Sequence, residues 1–381
     1  MNPRLCRAML IASLRWCCMG ALIPLLISCG PEGQSDGRDA PVRSAPTLPT
    51  TPSPPQPSRT PLPLPALYGA TVLQTSEVTL DSGLARDSMG QLRQLGANAV
   101  VLVPFLRQAR PQSDHLEFGK EVTDQQLIAG IRSAHAAGMS VILKPQILIT
   151  GSWAGAVDPG SAQGWVHWFA DYQAKILHYA GIAASNKAEI FVIGTELKRA
   201  DKLPYWRDLI VAVRKVYPGK ITYAAHNLDG IEQYAHWEQL DMLGVTLYPP
   251  LGRQVDRNAM LDTMRQVAGG LDKMHARFHK PVLVAEVGIP SMSGAQEKPW
   301  DYSRHRCDAP ADTALQALVL GLWLEALNQP WISGVFVWNW LSDPYAGGRH
   351  DTDYTVQHKP AEAVLRCRWG ISCDKTASPA G

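Results

Sequence analysis

The sequence predicts an α/β chain folded as a single-domain (β/α)8 barrel, and three observations predict it. Short apolar runs alternate with amphipathic stretches from about Leu67 onward. A junction of helix, glycine and strand recurs at a similar interval, as a βα repeat requires. No glycine-rich phosphate loop follows the first run, which counts against a dinucleotide-binding sheet. Eight such units in about 300 residues suit a closed barrel better than an open doubly wound sheet.

The first strand is read from Leu67 to Leu73. A helix through Met89, Leu92 and Leu95 stops at Gly96 and hands over to a run from Ala99 to Pro104. Thr123 and Gln126 stand in capping-box spacing at the head of the next helix. Its apolar positions Leu127, Ile131 and Ala134 keep helical period, and it stops at Gly138 before a run from Val141 to Pro145. The later runs are Ile190 to Ile193, Ile221 to Ala225, Met242 to Leu247, Val282 to Ala285 and Gly334 to Trp338. Helices are expected between them over 164–179, 206–216, 259–278 and 311–327.

Residues 1–28 are read as a leader rather than as part of the fold. Arg4, Arg7 and Arg15 precede an apolar stretch from Ala21 to Ser28 that is too short to span a bilayer and shaped like a secretory signal. Leu26-Ile27-Ser28-Cys29-Gly30 resembles a bacterial lipobox, which implies cleavage before Cys29 and lipidation of that residue. Residues 29–65 are dominated by Pro, Ser, Thr, Gly and Gln, a composition that cannot bury enough apolar surface to fold. They are expected to form an extended tether between membrane and domain. The catalytic domain is placed at 66–370, with a tail at 371–381. Gly30 is not the Asp that often retains lipoproteins at the inner membrane, so the expectation is a lipid-anchored protein of the cell envelope, at the outer membrane.

A net charge of +2 gives no electrostatic case for nucleic acid, which calls for a concentrated basic face. Outside the leader and Cys29 the cysteines are Cys307, Cys367 and Cys373. In an oxidising compartment two of them can pair, and Cys367 with Cys373 would close a short loop. No Cys/His spacing resembles a zinc site, so no metal and no cofactor is expected. His350-Asp351-Thr352-Asp353 offers too few oxygen ligands for calcium and reads as a solvated loop.

The chemistry is expected at the C-terminal ends of the strands, where barrels of this kind carry it. Strands buried on both faces read as continuous apolar runs. Two of them end in a carboxylate, Ile190 to Glu196 and Val282 to Glu286. By count these are strands 4 and 7. One acid and one carboxylate flanking a scissile bond is what glycoside hydrolysis requires. The polar strand ends Lys144, Gln146, His226 and Asn227 flank strand 4 on strands 3 and 5 and are candidates for sugar hydroxyls. Eleven of the twelve tryptophans lie in the folded part, and Trp153, Trp237, Trp300, Trp338 and Trp340 fall where βα loops should be. Indole packs on the C–H face of a pyranose, so Trp338, Trp153 and Trp340 are candidate substrate contacts. Trp165, Trp168 and Trp323 lie inside helical patterns and read as core.

Carboxylates at the ends of strands 4 and 7 resemble those of the clan A glycoside hydrolases, whose fold is the TIM barrel. Ile193-Gly194-Thr195-Glu196-Leu197 looks like the acid/base motif and Val284-Ala285-Glu286-Val287-Gly288 like the nucleophile motif. Tyr248 in Val245-Thr246-Leu247-Tyr248-Pro249 resembles the strand-6 tyrosine that hydrogen-bonds the nucleophile. Trp338 in Phe336-Val337-Trp338-Asn339-Trp340 resembles the tryptophan under the reacting sugar. Glycoside hydrolase family 113 is the closest resemblance, supported by Leu143-Lys144-Pro145 and by the tail from Asp353 to Ala361. It implies a retaining, endo-acting β-1,4-mannanase whose partner is a polysaccharide or oligosaccharide; the chain is expected to act as a monomer. One departure is Thr195, which stands where most of the clan has an Asn that contacts the sugar 2-hydroxyl. Glucan, xylan or the cell's own exopolysaccharide remain alternative substrates, and a non-catalytic polysaccharide-binding lipoprotein is the alternative of a different class.

Overall fold

The computed structural model describes residues 67–301 and 309–371. The leader, the tether with Cys29, Cys307, Cys373 and all but the first residue of the tail lie outside them. Eight parallel strands close a barrel in sequential order: β1 Leu67–Leu73, β2 Ala99–Leu102, β3 Ser140–Leu143, β4 Ile190–Thr195, β5 Lys220–His226, β6 Leu243–Leu247, β7 Val282–Val287 and β8 Ile332–Leu341. β8 pairs with β1 to complete the closure.

Alternation of side chains along each strand divides the core in two. Ala99, Val101, Ile142, Ile190, Val192, Leu283, Ala285 and Phe336 fill the barrel interior. Their neighbours Val100, Leu102, Val141, Phe191, Val282, Val284 and Val335 pack outward against the helices. All of these are fully or almost fully buried, which is why the strands read as unbroken apolar runs.

The helices begin and end where local chemistry dictates. Ser82 caps Gly83–Gln94 (α1), and the left-handed Gly96 (φ 107°) turns the chain into β2. The capping box of Thr123 and Gln126 is complete at the head of Asp124–Ala136 (α2), and Gly138 (φ 74°) follows its end. Ala162–Ser185 (α3) and Trp206–Val216 (α4) follow, the latter at its expected bounds. Asn227–Gln233 (α5) is a short helix that the apolar pattern did not announce. Arg257–Phe278 (α6), Thr313–Ala326 (α7) and Ala361–Arg368 (α8) complete the layer.

A second sheet stands above β2 and β3, formed by Phe105–Gln108 paired with Glu117–Phe118 and Gln146–Ile149. Its two parallel strands begin beside Pro104 and Pro145. Proline has no N–H to give a ladder, so it ends each barrel strand and lets the chain start a new pairing. Cys367 is disulfide-bonded, and its partner cysteine lies outside the described residues. Among the described residues no helix is long and apolar enough to cross a membrane.

Candidate active site

Five adjacent strands, β3 to β7, bring the polar strand ends together. The register sets His226 beside Thr246 and Thr246 beside Glu286, and the N–H of Glu196 donates to Ala224 O at 2.8 Å. β7 carries an extra residue against β6 between Val284 and Glu286. Such a bulge re-aims a side chain. Strict alternation from Leu283 and Ala285 would send Glu286 outward. With the bulge, Val287 joins the outer layer and Glu286 meets the polar groups of the barrel mouth. Glu196 follows β4 with φ 55°, a left-handed conformation unusual for a non-glycine residue. Strain of this kind costs on the order of 1–3 kcal/mol and concentrates at functional sites.

Three donors converge on Glu286. Lys144 Nζ ion-pairs with Oε1, Gln146 Nε2 donates to Oε1 at 2.5 Å, and Tyr248 Oη donates to Oε2 at 3.0 Å. Lys144, expected among the sugar contacts, is instead fully buried. Its ammonium lies 5.2 Å from the centre of the Trp338 ring. Burial pushes the Lys144 ammonium down and the Glu286 carboxyl up, each countered by the charge of the other. The charge of Glu196 pushes Glu286 up further. Only the carboxylate form of Glu286 accepts all three donors, so the anion is the form that this arrangement holds. Burial, with the charge of Glu286, also pushes the Tyr248 hydroxyl well above its ordinary range, which keeps it a donor.

Glu196 has a different shell. Its Oε1 accepts from Thr246 Oγ1 at 2.5 Å and faces His226 Nδ1 at 3.1 Å. Asn227, again expected at a sugar hydroxyl, bridges instead from His226 Nε2 (3.1 Å) to the Tyr248 N–H (2.8 Å). Trp153 lies beside His226, with ring centres 4.9 Å apart. Burial pushes Glu196 up, but a charged His226 opposite, together with the Thr246 hydroxyl and the Lys144 ammonium, would outweigh it and hold the carboxyl below its ordinary range, His226 rising in return.

Trp338 is half-buried at the end of the barrel interior. Trp340 is not a substrate contact: it is buried among the outer core residues and donates to Ser88 of α1 at 2.7 Å. An extra residue in β8 between Val337 and Trp340, measured against β1, reverses the alternation and turns it outward. Trp237 is likewise fully buried, donating to Ile231 O at 2.8 Å. Trp168 and Trp323 are core, and Trp165 packs against it partly buried, as their helical spacing implied. Thr195 Oγ1 is buried and makes no hydrogen bond within the protein. The loop 350–353 is not simply solvated, because Asp351 pairs with the buried Lys359 at 2.6 Å and so ties the loop down. Among the described residues no group of three or more His, Cys, Asp or Glu is placed to hold a metal ion.

Thr246, Tyr223 and Asp201 are the residues that sequence reasoning missed. Thr246 hides inside an apolar run and gives no signal. Behind the Glu196 turn, the Leu197 N–H donates to Tyr223 Oη at 2.7 Å, and Tyr223 Oη donates to Asp201 Oδ1 at 2.7 Å. Burial pushes the Asp201 carboxyl from its ordinary 3.8 up to about 7. A carboxyl raised on folding binds its proton more tightly in the folded state. Its contribution is therefore most favourable below about pH 4 and is lost as pH rises toward 7. Asp201→Asn should match the parent below pH 4 and exceed its stability above pH 7 by on the order of a few kcal/mol. Denaturant unfolding across this range reads the difference, and parallel stability curves would contradict it.

The model of Glycoside Hydrolase Family 113 matches residues 72–359. Among solved structures, a family 113 β-mannanase of Alicyclobacillus acidocaldarius is 28% identical, with a TM-score of 0.70 over 82% of this chain and 100% of the other. A family 113 β-1,4-mannanase is 27% identical, with a TM-score of 0.69 over 80% and 99% of the two chains. A Ruminococcus gnavus β-glucuronidase, 13% identical at a TM-score of 0.53 over 81% of this chain and 50% of its own, shares the fold. A search of curated proteins finds no match. The family match runs from the first barrel strand past the last and takes in both strand-end glutamates, so the chain is a glycoside hydrolase that belongs to family 113.

Proposed function

We propose that the domain cleaves β-1,4-linked mannan within the chain by double displacement with retention. The observation that carries the reading is the unequal treatment of two buried glutamates at one barrel mouth. Glu286 holds a lysine, an amide and a phenol, the shell of an anion that must stay ionised and aimed. Glu196 holds a hydroxyl and an imidazole on one oxygen only. In the proposed mechanism Glu286 attacks the anomeric carbon while Glu196 protonates the leaving oxygen. Once the charge of Glu286 is consumed in the glycosyl ester, Glu196 loses its proton more readily and activates water. The retaining geometry sets the carboxyl groups about 5–5.5 Å apart. Trp338 offers a face to the sugar, and the unpartnered Thr195 hydroxyl a single hydrogen bond. The mannan assignment is supported by the β-mannanases to which the chain is 25–28% identical. Purified domain assayed against a panel of mannan, glucan, xylan and exopolysaccharide, with product anomer read by NMR, tests it. Inverted product would rule out the double displacement, and preference for another polymer the substrate.

The lipobox resemblance supports a further proposal, that Cys29 anchors the domain to the cell envelope. Cys29→Ser should leave folding and activity unchanged and release the protein from the membrane fraction. Unchanged retention would place the anchor elsewhere.

A further inference from the structure

We infer that Asn227 locks His226 as a neutral imidazole protonated on Nδ1, and so acts as a positioning residue that keeps Glu196 able to hold the proton it donates. The inference rests on the acid/base reading of Glu196. It starts from a group with no choice: the backbone N–H of Tyr248 can only donate. Its acceptor is Asn227 Oδ1 at 2.8 Å, which fixes the amide the other way round toward His226. Asn227 Nδ2, also a pure donor, then stands 3.1 Å from His226 Nε2. That nitrogen must be bare to accept. The one ring proton therefore sits on Nδ1, 3.1 Å from Glu196 Oε1. Thr246 Oγ1 donates to the same oxygen, which leaves Oε2 to carry the acid proton.

Charging His226 would set an N–H of the ring against an N–H of the amide, 3.1 Å apart in a largely buried site. Without that charge, His226 draws Glu196 toward its ionised form only through the Nδ1–H hydrogen bond, a weaker pull than that of a facing cation. Other charged groups facing the pair lie on every side. Lys198 and Asp229 pair with each other at 2.6 Å and act on His226 in opposite senses. Asp201 lies behind, and Lys144 and Glu286 lie across the barrel mouth. The left-handed φ of 52° at Asn227 is one that asparagine tolerates better than other side chains. It sits at the first residue of α5, directly after β5.

Asn227→Asp is the decisive variant, because a carboxylate still accepts from Tyr248 but now invites a proton onto His226 Nε2. With a poor leaving group, such as a mannan oligosaccharide, the basic limb of kcat/KM should move to lower pH. Activity at pH 7 should fall on the order of tenfold or more, since a facing cation favours the ionised carboxyl. An activated aryl glycoside of the same sugar should keep its kcat/KM, which no general loss of structure would spare. Nitrogen-15 NMR of histidine in the unsubstituted protein gives a second reading: His226 should be neutral and protonated on Nδ1 at pH 7. An imidazolium there, or an unmoved basic limb in the variant, would overturn the inference. Full activity of Glu196→Gln on the poor substrate would instead overturn the acid/base reading itself.

Discussion

Glu286→Ala is expected to abolish turnover on every substrate, and azide is expected to restore it as the inverted glycosyl azide. The small anion takes the position of the missing carboxylate and attacks the anomeric carbon once, so the configuration changes once. Glu196→Ala should behave differently. With a poor leaving group the loss is about 10²–10⁴-fold, the usual contribution of a positioned acid. A good leaving group needs little protonation, so glycosylation survives and water attack becomes limiting for want of a base. Azide, which needs no base, should then intercept the glycosyl ester and give the retained product. The converse pattern of products would reverse the two roles. Full activity in both variants would remove the catalytic reading of these strand ends altogether.

The barrel was legible because its strands are buried on both faces and its helices on one, so period and punctuation survive in the sequence. Gly96, Gly138 and the Thr123–Gln126 box each mark a boundary through local backbone chemistry, and the structure places elements there. What alternation cannot carry is register. The extra residues in β7 and β8 leave no trace in an apolar run, yet they turn Glu286 toward the barrel mouth and Trp340 away from it. For the same reason Lys144 and Asn227 read as sugar ligands from their place at strand ends. The actual partner of Lys144 is Glu286, and Asn227 joins its neighbour His226 to the Tyr248 N–H; Glu286 and Tyr248 come from strands distant in sequence. Thr246 was hidden altogether, a single hydroxyl in a strand whose neighbours are all apolar. The charged ends of strands 4 and 7 stood out because two carboxylates, each closing an apolar run, can flank one scissile bond, whereas a single one reads as half of an ion pair.

Lys144→Met carries the second large effect, because it leaves a carboxylate buried without its cation. Lys144 is fully buried and the Glu286 side chain is 7% exposed, so solvent cannot replace the lost partner. Breaking one side of a buried ion pair costs about 3–5 kcal/mol. The sign with pH follows from the direction of the change. Burial already pushes Glu286 up, and the ammonium is what pulls it back. Without Lys144 the folded form favours protonated Glu286 more strongly, so the deficit should be small in acid and grow as pH rises. Activity should show the same displacement if Glu286 acts as proposed, the acidic limb of kcat/KM moving to higher pH as Glu286 becomes harder to ionise. Denaturant unfolding at pH 5 and pH 8 reads the first effect, and the pH profile reads the second. Adding Glu286→Gln to Lys144→Met removes the stranded charge and should recover much of the stability while activity stays lost. If the double variant is no more stable than Lys144→Met alone, the loss comes from packing under Trp338 and not from the ion pair.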